Sequence, residues 1–443
     1  MGSELIDGLA TTDALSHVFS DRAFLESMLR FESALARAEG DLGLIPKAAA
    51  ESIGSAVETA AFDAHELVVS ARASGTVVIP FVRAFTEHVR ARSPEHAGFV
   101  HWGATSQDVF DTALVLCLKR ARALLRDDAT ALLSALRRLS DQHAEAVMLG
   151  RTLLQPAPPV TFGLKAAGWF AAVRRSWRRL DEAFDNALVL QFGGASGTLA
   201  SLGADGPTVS QALARALDLG EADAPWHTTR DRLAGVATAC GIFTGVLGKI
   251  ARDVSLLMQH EVAEASEPGG RSSTMPQKRN PSGSAIVLAA ATRVPGLVAA
   301  VLAGLIQEHE RGVGTWHAEA PTLTAIVKST GAAVASAREL VEHLSVDAER
   351  MSVNIESTHG SIFAERLMML AATGMGRDVA HRVVGEVVAE SGRSGRSLGE
   401  VARNTPELVR AVGGDALRDL EDPRHYLGAS EIFRRRLLED SKP

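Results

Sequence analysis

The sequence predicts an all-α protein, on three observations. Residues 112–149 contain neither glycine nor proline, and Leu114, Leu116, Leu118, Ala121, Leu124 and Leu125 recur at helical spacing. Four further stretches of helical pattern follow, at 161–192, 228–266, 281–311 and 322–344. Strand-like alternation is scarce, and only one tyrosine occurs in 443 residues.

Taken in order, the first twenty residues lack a basic start followed by an apolar block, so no signal peptide is expected. Residues 21–42 place Phe24, Met28, Leu29, Phe31, Ala34 and Leu35 on one helical face, with Asp21 available as an N-cap. Residues 74–89 open with a turn and carry Pro80 near the start of an amphipathic piece. A small helical N-terminal domain over 1–111 accounts for these patterns.

Residues 99–112, FVHWGATSQDVFDT, form a polar turn before the first long helix. Ser106 or Asp108 serves as its N-cap, but capping leaves His101, Thr105 and Gln107 crowded there without a structural reason. The helix predicted over 112–149 would span roughly 57 Å at about 1.5 Å per residue, and a helix that long needs neighbours of similar length. The later helical stretches supply them, giving a long bundle over 112–347. Between the first two helices, residues 150–163 hold three prolines, which make a stiff, non-helical connection with Arg151, Thr152 and Gln155 as its polar members. From about residue 348 the patterns shorten into a small C-terminal helical domain, 348–443.

The apolar run 285–306 is interrupted by Thr292, Arg293, Pro295 and Gly296. A membrane span wants roughly 18 or more uninterrupted apolar residues, so a buried helix and no membrane partner are expected. The net charge of −7 argues against a nucleic-acid partner, and an anionic substrate would need local cations. Cys117 and Cys240 both sit in apolar helical patterns, which supports neither a disulfide framework nor a cysteine metal site and suits a reducing cytoplasm. His260-Glu261 and His309-Glu310 each lack the second histidine of a zinc-binding helix. Neither Gly374-Met375-Gly376 nor the glycines around Gly194 complete a dinucleotide fingerprint. No metal and no cofactor is therefore expected, and His309 and His317 read as packed, hydrogen-bonded histidines.

The stretch around which the chain is organised is 267–283, EPGGRSSTMPQKRNPSG. Pro268, Gly269, Gly270 and Pro276 exclude a helix or strand interior, so this is a loop. It presents Ser272, Ser273, Lys278 and Asn280 just before a long apolar helix. The order Ser272-Ser273-Thr274-Met275-Pro276-Gln277-Lys278-Arg279-Asn280-Pro281 resembles a fumarase/aspartase-type loop, and the chemistry this implies, proton removal next to a carboxylate, creates a dianionic aci-carboxylate that requires a base together with cationic or amide donors fixed where charge develops. Ser272 can be that base if loop amides and a nearby cation stabilise its alkoxide. Lys278 and Asn280 can hold the carboxylate whose charge grows, while Thr105, Ser106 and Gln107 can grip a second one.

The run Ser272-Ser273-Thr274-Met275-Pro276-Gln277-Lys278-Arg279-Asn280-Pro281 resembles the signature loop of the fumarase/aspartase superfamily, Gly-Ser-Ser-x-Met-Pro-x-Lys-x-Asn-Pro, with Arg271 in place of the glycine. The segment from His101 resembles the family's His-x-Gly-Ala-Thr-Ser-x-Asp patch. Segments 191–203, 226–233, 253–264, 307–319 and 422–428 resemble the family's 3-carboxy-cis,cis-muconate cycloisomerase branch, so the likeness covers nearly the whole chain. It implies a three-domain helical fold around a central bundle, with Ser272 as general base beside Lys278. It further implies a substrate site drawn from His101, Thr105, Ser106, Gln107, Arg151, Thr152, Gln155, Ser273, Met275 and Asn280. The substrate class it implies is a small di- or tricarboxylate, and the assembly a cytoplasmic homotetramer whose sites combine segments from different chains. Lactonising cycloisomerisation is the implied reaction; a nitrite-releasing lyase, an adenylosuccinate-type lyase and an inactive scaffold are the alternatives.

Leu153 and Pro156 stand where the family pattern carries histidine. A carboxylate or nitrite leaves without a proton, whereas an amine or purine needs an acid. The departure is therefore compatible with the first two reactions and weakens the adenylosuccinate reading.

Overall fold

In the computed structural model, which describes Glu4–Glu439, the apolar face of residues 21–41 forms helix α1 (Asp21–Asp41) and buries Phe31, Leu35 and Met28 almost completely. Its cap is Ser20, whose side chain accepts from the Ala23 amide, so Asp21 is instead the first helical residue. The five long helices are α2 (Ser106–Gln142), α3 (Phe162–Ala187), α4 (Asp231–Leu257), α5 (Ser282–Ala303) and α6 (Thr315–Glu342). The protein is thus predominantly α-helical, with the long helices that the resemblance implies. Helix α6 starts earlier than its internal Pro321 suggests. Trp316 and Glu319, before the proline, are bonded to Asp111 and Arg230, and these tertiary bonds hold the first turns.

Helix α2 ends at Gln142 rather than 149, because the next residues pair as strands. Strands β1 (Val147–Thr152) and β2 (Gln155–Thr161) form an antiparallel hairpin with a register shift at Leu149/Gly150. The expected irregular connection is therefore a ribbon. With only two strands both edges are free, so the prolines at 156, 158 and 159 remove no bond from a sheet interior. Gly150 is required where the strands close up: a Cβ there would lie 2.4 Å from the Pro158 carbonyl oxygen.

The described residues fall into two compact units. The first comprises residues 4–129, Ser176–Gly248 and Ile286–Ala335; the second comprises Thr130–Arg175, Lys249–Ala285 and residues 336–439. The first unit contains the 99–112 turn and the second contains both the hairpin and the 267–283 loop. In the second unit Leu149 anchors the hairpin in an apolar core with Phe363, Leu367, Val383, Leu398 and Leu417. Both cysteines are buried and free, and burial pushes the Cys240 thiol up to about 12.

Helix α5 departs from expectation. Both α4 and α5 are long and apolar enough, by length and composition, to cross a membrane. The most apolar window of α4 is 61% buried, but that of α5 is only 22% buried, so α5 is not a buried helix of the single chain. Periodicity could not reveal this, since an apolar helix reads the same whether its own chain or another covers it.

Candidate active site

The 267–283 loop is tied shut at its base. Glu267, 2% exposed, accepts from the Gly283 amide (2.9 Å), the Ser284 amide (3.1 Å) and the Ser284 hydroxyl (2.9 Å). This places a carboxylate on the first-turn amides of α5, where orphan donors and the helix dipole favour it. Farther along, the Asn280 amide donates to the Gly270 carbonyl (2.7 Å) and the Ser272 amide to the Lys278 carbonyl (3.3 Å). Gly270, at φ +63°, makes the crossing possible, because a Cβ would lie 1.9 Å from the Asn280 oxygen.

Inside the tip, Ser272 Oγ accepts from the amides of Met275 (3.1 Å) and Thr274 (3.3 Å). Two N–H dipoles thus converge on a half-buried hydroxyl oxygen, the arrangement that stabilises negative charge when its proton leaves. Lys278, Ser273 and Met275 are exposed on the same loop, and Asn280 is half-buried.

At the hairpin, Arg151 forms a two-pronged pair with Glu264, at 2.8 and 2.7 Å. Glu264 is fully buried and also accepts from Asn354 (2.7 Å), so the Arg151 charge is balanced within its own unit. Thr152 and Gln155 are exposed and flank a two-residue turn, Leu153-Leu154, with both residues at left-handed φ (49° and 65°). Leu153 is 96% exposed. Two strained, exposed leucines at a hairpin tip are costly in an isolated chain, at about 1–3 kcal/mol of backbone strain each.

In the first unit the 99–112 turn hangs on Asp108. Its fully buried carboxylate accepts from the amides of Thr105 (3.0 Å), Gly193 (3.0 Å) and Gly194 (2.9 Å), from Gln191 (3.2 Å) and from His227 Nε2 (2.8 Å). Thr105, not Ser106, precedes the first helical residue, and the Asp108 bond to its amide is half of a capping box. Arg311 donates to Thr105 Oγ1 (2.7 Å) and to the carbonyls of Gly194 and Ala195 (3.2 Å each). That leaves the Thr105 hydroxyl proton free to bind an anion. Ser106 is half-buried beside it.

Gln107, by contrast, is 1% exposed, and its amide donates to the His227 carbonyl (2.8 Å) and Asp111 (3.1 Å). In this chain Gln107 ties the turn to its support. That support continues through Arg230, 2% exposed, which is gripped by Asp111 and Glu319 and lies 4.7 Å over the Trp226 ring.

His101 is held at φ +60°, with Nδ1 2.7 Å from Glu32 Oε1. Burial disfavours its charged form, but the Glu32 carboxylate, their hydrogen bond and Asp108 outweigh this and raise its pKa above 6.5. Behind it Glu39 is fully buried with neither oxygen hydrogen-bonded, and burial, assisted by Glu32, pushes its carboxyl up to about 9. Sequence reading missed Glu32, Glu264, Glu267 and Arg311. The one available signal was that acids in apolar helical faces, such as Glu32 and Glu39 on α1, demand a partner or a proton.

The comparisons with known proteins agree with this architecture. The family model described as "Lyase" matches residues 9–296, and that described as "Adenylosuccinate lyase C-terminus" matches 360–437. The chain belongs to the fumarase/aspartase superfamily. Among its relatives, a 3-carboxy-cis,cis-muconate cycloisomerase of Pseudomonas aeruginosa is 44% identical, over 98% of this chain and 96% of that protein. A nitrosuccinate lyase of Streptomyces davaonensis is 38% identical, over 93% and 89% respectively. The crystal structure of the 3-carboxy-cis,cis-muconate lactonizing enzyme from Pseudomonas putida superposes with a TM-score of 0.94 at 42% identity, covering 98% of each chain.

Proposed function

We propose that the protein catalyses the lactonising cycloisomerisation of 3-carboxy-cis,cis-muconate, with Ser272 as the proton-transferring group. The observation that carries this reading is the pair of amides on Ser272 Oγ, which lowers the cost of the alkoxide. In the lactonising direction a substrate carboxylate oxygen adds to the conjugated double bond, whose electrons move into a second carboxylate as an aci-dianion. The Ser272 hydroxyl then delivers its proton to the carbon next to that carboxylate, and the alkoxide left behind takes a proton from solvent before the next turnover. In the reverse direction the Ser272 alkoxide removes the same proton, and the carboxylate departs. In the lactonising direction the tricarboxylate trianion thus takes up one proton as it becomes the lactone dianion, and no redox partner is needed.

Lys278 and the Asn280 amide neutralise the aci-dianion, while Ser273 and Met275 line the tip. Thr105 and Ser106 receive a second carboxylate. His101, whose cationic form the Glu32 carboxylate favours, is suited to a third. Arg151, Thr152 and Gln155 shape the site through the hairpin, and Gln107 through the turn it supports.

The site residues lie on segments of both units, and α5 and the Leu153-Leu154 tip leave apolar surface uncovered. This supports a homotetramer in which neighbouring chains cover these surfaces and complete each other's sites, and the two free, buried cysteines suit a cytoplasmic location. Leu153 and Pro156, in place of histidine, favour a leaving group that needs no proton. The same feature supports nitrosuccinate cleavage to nitrite and fumarate as the second reading. Assaying purified protein on both compounds decides between them: higher kcat/KM on carboxymuconate is expected, and turnover of nitrosuccinate alone would replace the first reading with the second.

A further inference from the structure

Arg271 replaces the glycine of the signature pattern, and the loop gives it a definite neighbour. It faces Arg279 across an isolated antiparallel bridge. The flanking bonds, Asn280 amide to Gly270 carbonyl and Ser272 amide to Lys278 carbonyl, make the two arginines a non-hydrogen-bonded pair. In such a pair the Cα atoms lie about 4.5 Å apart, and both side chains leave the same face of the ribbon. Both arginines are exposed, and among the described residues neither has an ion pair. The only acid in 267–283 is Glu267, whose two oxygens are already taken by Gly283 and Ser284. Like charges directly opposite each other destabilise a bridge, so this one is held closed against its own repulsion.

We propose that Arg271 and Arg279 form a binding site for a small polycarboxylate anion, on the face of the loop opposite Ser272 and Lys278. Successive residues of an extended strand point to opposite faces, so the pair 272/278, one step inward, leaves the other side. Two planar guanidinium forks side by side match carboxylate oxygens in two-pronged geometry. A bound anion cancels the repulsion across the bridge and so favours the closed loop in which the Thr274 and Met275 amides meet Ser272 Oγ. The site is independent of which reaction the protein catalyses.

The test is isothermal titration of the full-length protein with propane-1,2,3-tricarboxylate, at low and at 0.3 M salt. It is run in a Lys278→Ala background, which removes the cation assigned to the catalytic face. Binding should persist in that background and weaken at high salt. It should fall about tenfold or more on adding Arg271→Gly, which removes one of two charged forks, and be largely restored by Arg271→Lys. Native mass is measured on each variant. Binding that disappears with Lys278→Ala alone, or that survives Arg271→Gly unchanged, would overturn the proposal. So would a change of assembly in Arg271→Gly without a change in affinity, which would assign the pair to a subunit contact. Absence of carboxymuconate turnover would affect the reading of the reaction but not this measurement.

Discussion

Gly270→Ala puts the geometry of the loop to a quantitative test. The new methyl would lie 1.9 Å from the Asn280 carbonyl oxygen, where ordinary contact begins at 3.4 Å, and φ is +63°. Left-handed backbone alone costs a non-glycine residue about 1–2 kcal/mol, and the overlap cannot be absorbed because its partner is backbone. The cheaper response is for the crossing to open. That forfeits the Asn280–Gly270 and Ser272–Lys278 backbone bonds, at about 1 kcal/mol each, so the loss of stability is capped at about 2 kcal/mol. The loop is exposed and outside the apolar cores, so thermal unfolding and helical circular dichroism should change little. Catalysis should change much more, because opening displaces the two amides from Ser272, and losing one such donor costs about 10²- to 10³-fold. The assay is kcat on carboxymuconate beside a melting curve. A variant with parental kcat would refute the claim that the closed loop is the working form.

Glu39 sets a pH dependence. In the folded state its carboxyl keeps its proton to about 9, against an ordinary value of 4.5, so folded protein holds one more proton than unfolded across that window. Stability should therefore be highest below about pH 4.5 for this group and fall as pH rises toward 9. Glu39→Gln should remove that part of the slope and stabilise the protein at pH 8, by about 1–3 kcal/mol after allowance for relaxation around a buried charge; an unchanged difference between parent and variant from pH 5.5 to 8 in urea titrations would contradict it. The uncovered surface of α5 predicts self-association: native mass spectrometry should give four chains, and an active monomer would contradict the assembly.

Much of the fold could be read from the sequence because five long helices each carry their own periodicity. The 267–283 loop could be read because its glycines, prolines and polar residues are contiguous. What escaped was non-local. The hairpin at 147–161 hid behind three prolines, which read as breakers of regular structure although a two-stranded ribbon tolerates them at its edges. Gln107 looked like a ligand-binding residue because its carbonyl partner lies 120 residues away at His227. Arg151 read only as a polar member of the connection for the same reason, with its partner Glu264 113 residues distant. Only the folded chain shows which polar side chains already have partners and which, such as those of Ser273 and Lys278, remain turned outward.

Whether Ser272 moves the proton is measured directly by kcat for 3-carboxy-cis,cis-muconate with Ser272→Ala, set against Ser273→Ala on the same preparation. Removing a proton-transferring group costs about 10²- to 10⁴-fold, and an exposed loop hydroxyl contributes little to the core. Ser272→Ala should therefore lose nearly all turnover with its melting temperature and native mass intact, while Ser273→Ala loses far less. Turnover by Ser272→Ala equal to that of the parent would remove Ser272 from the proton transfer.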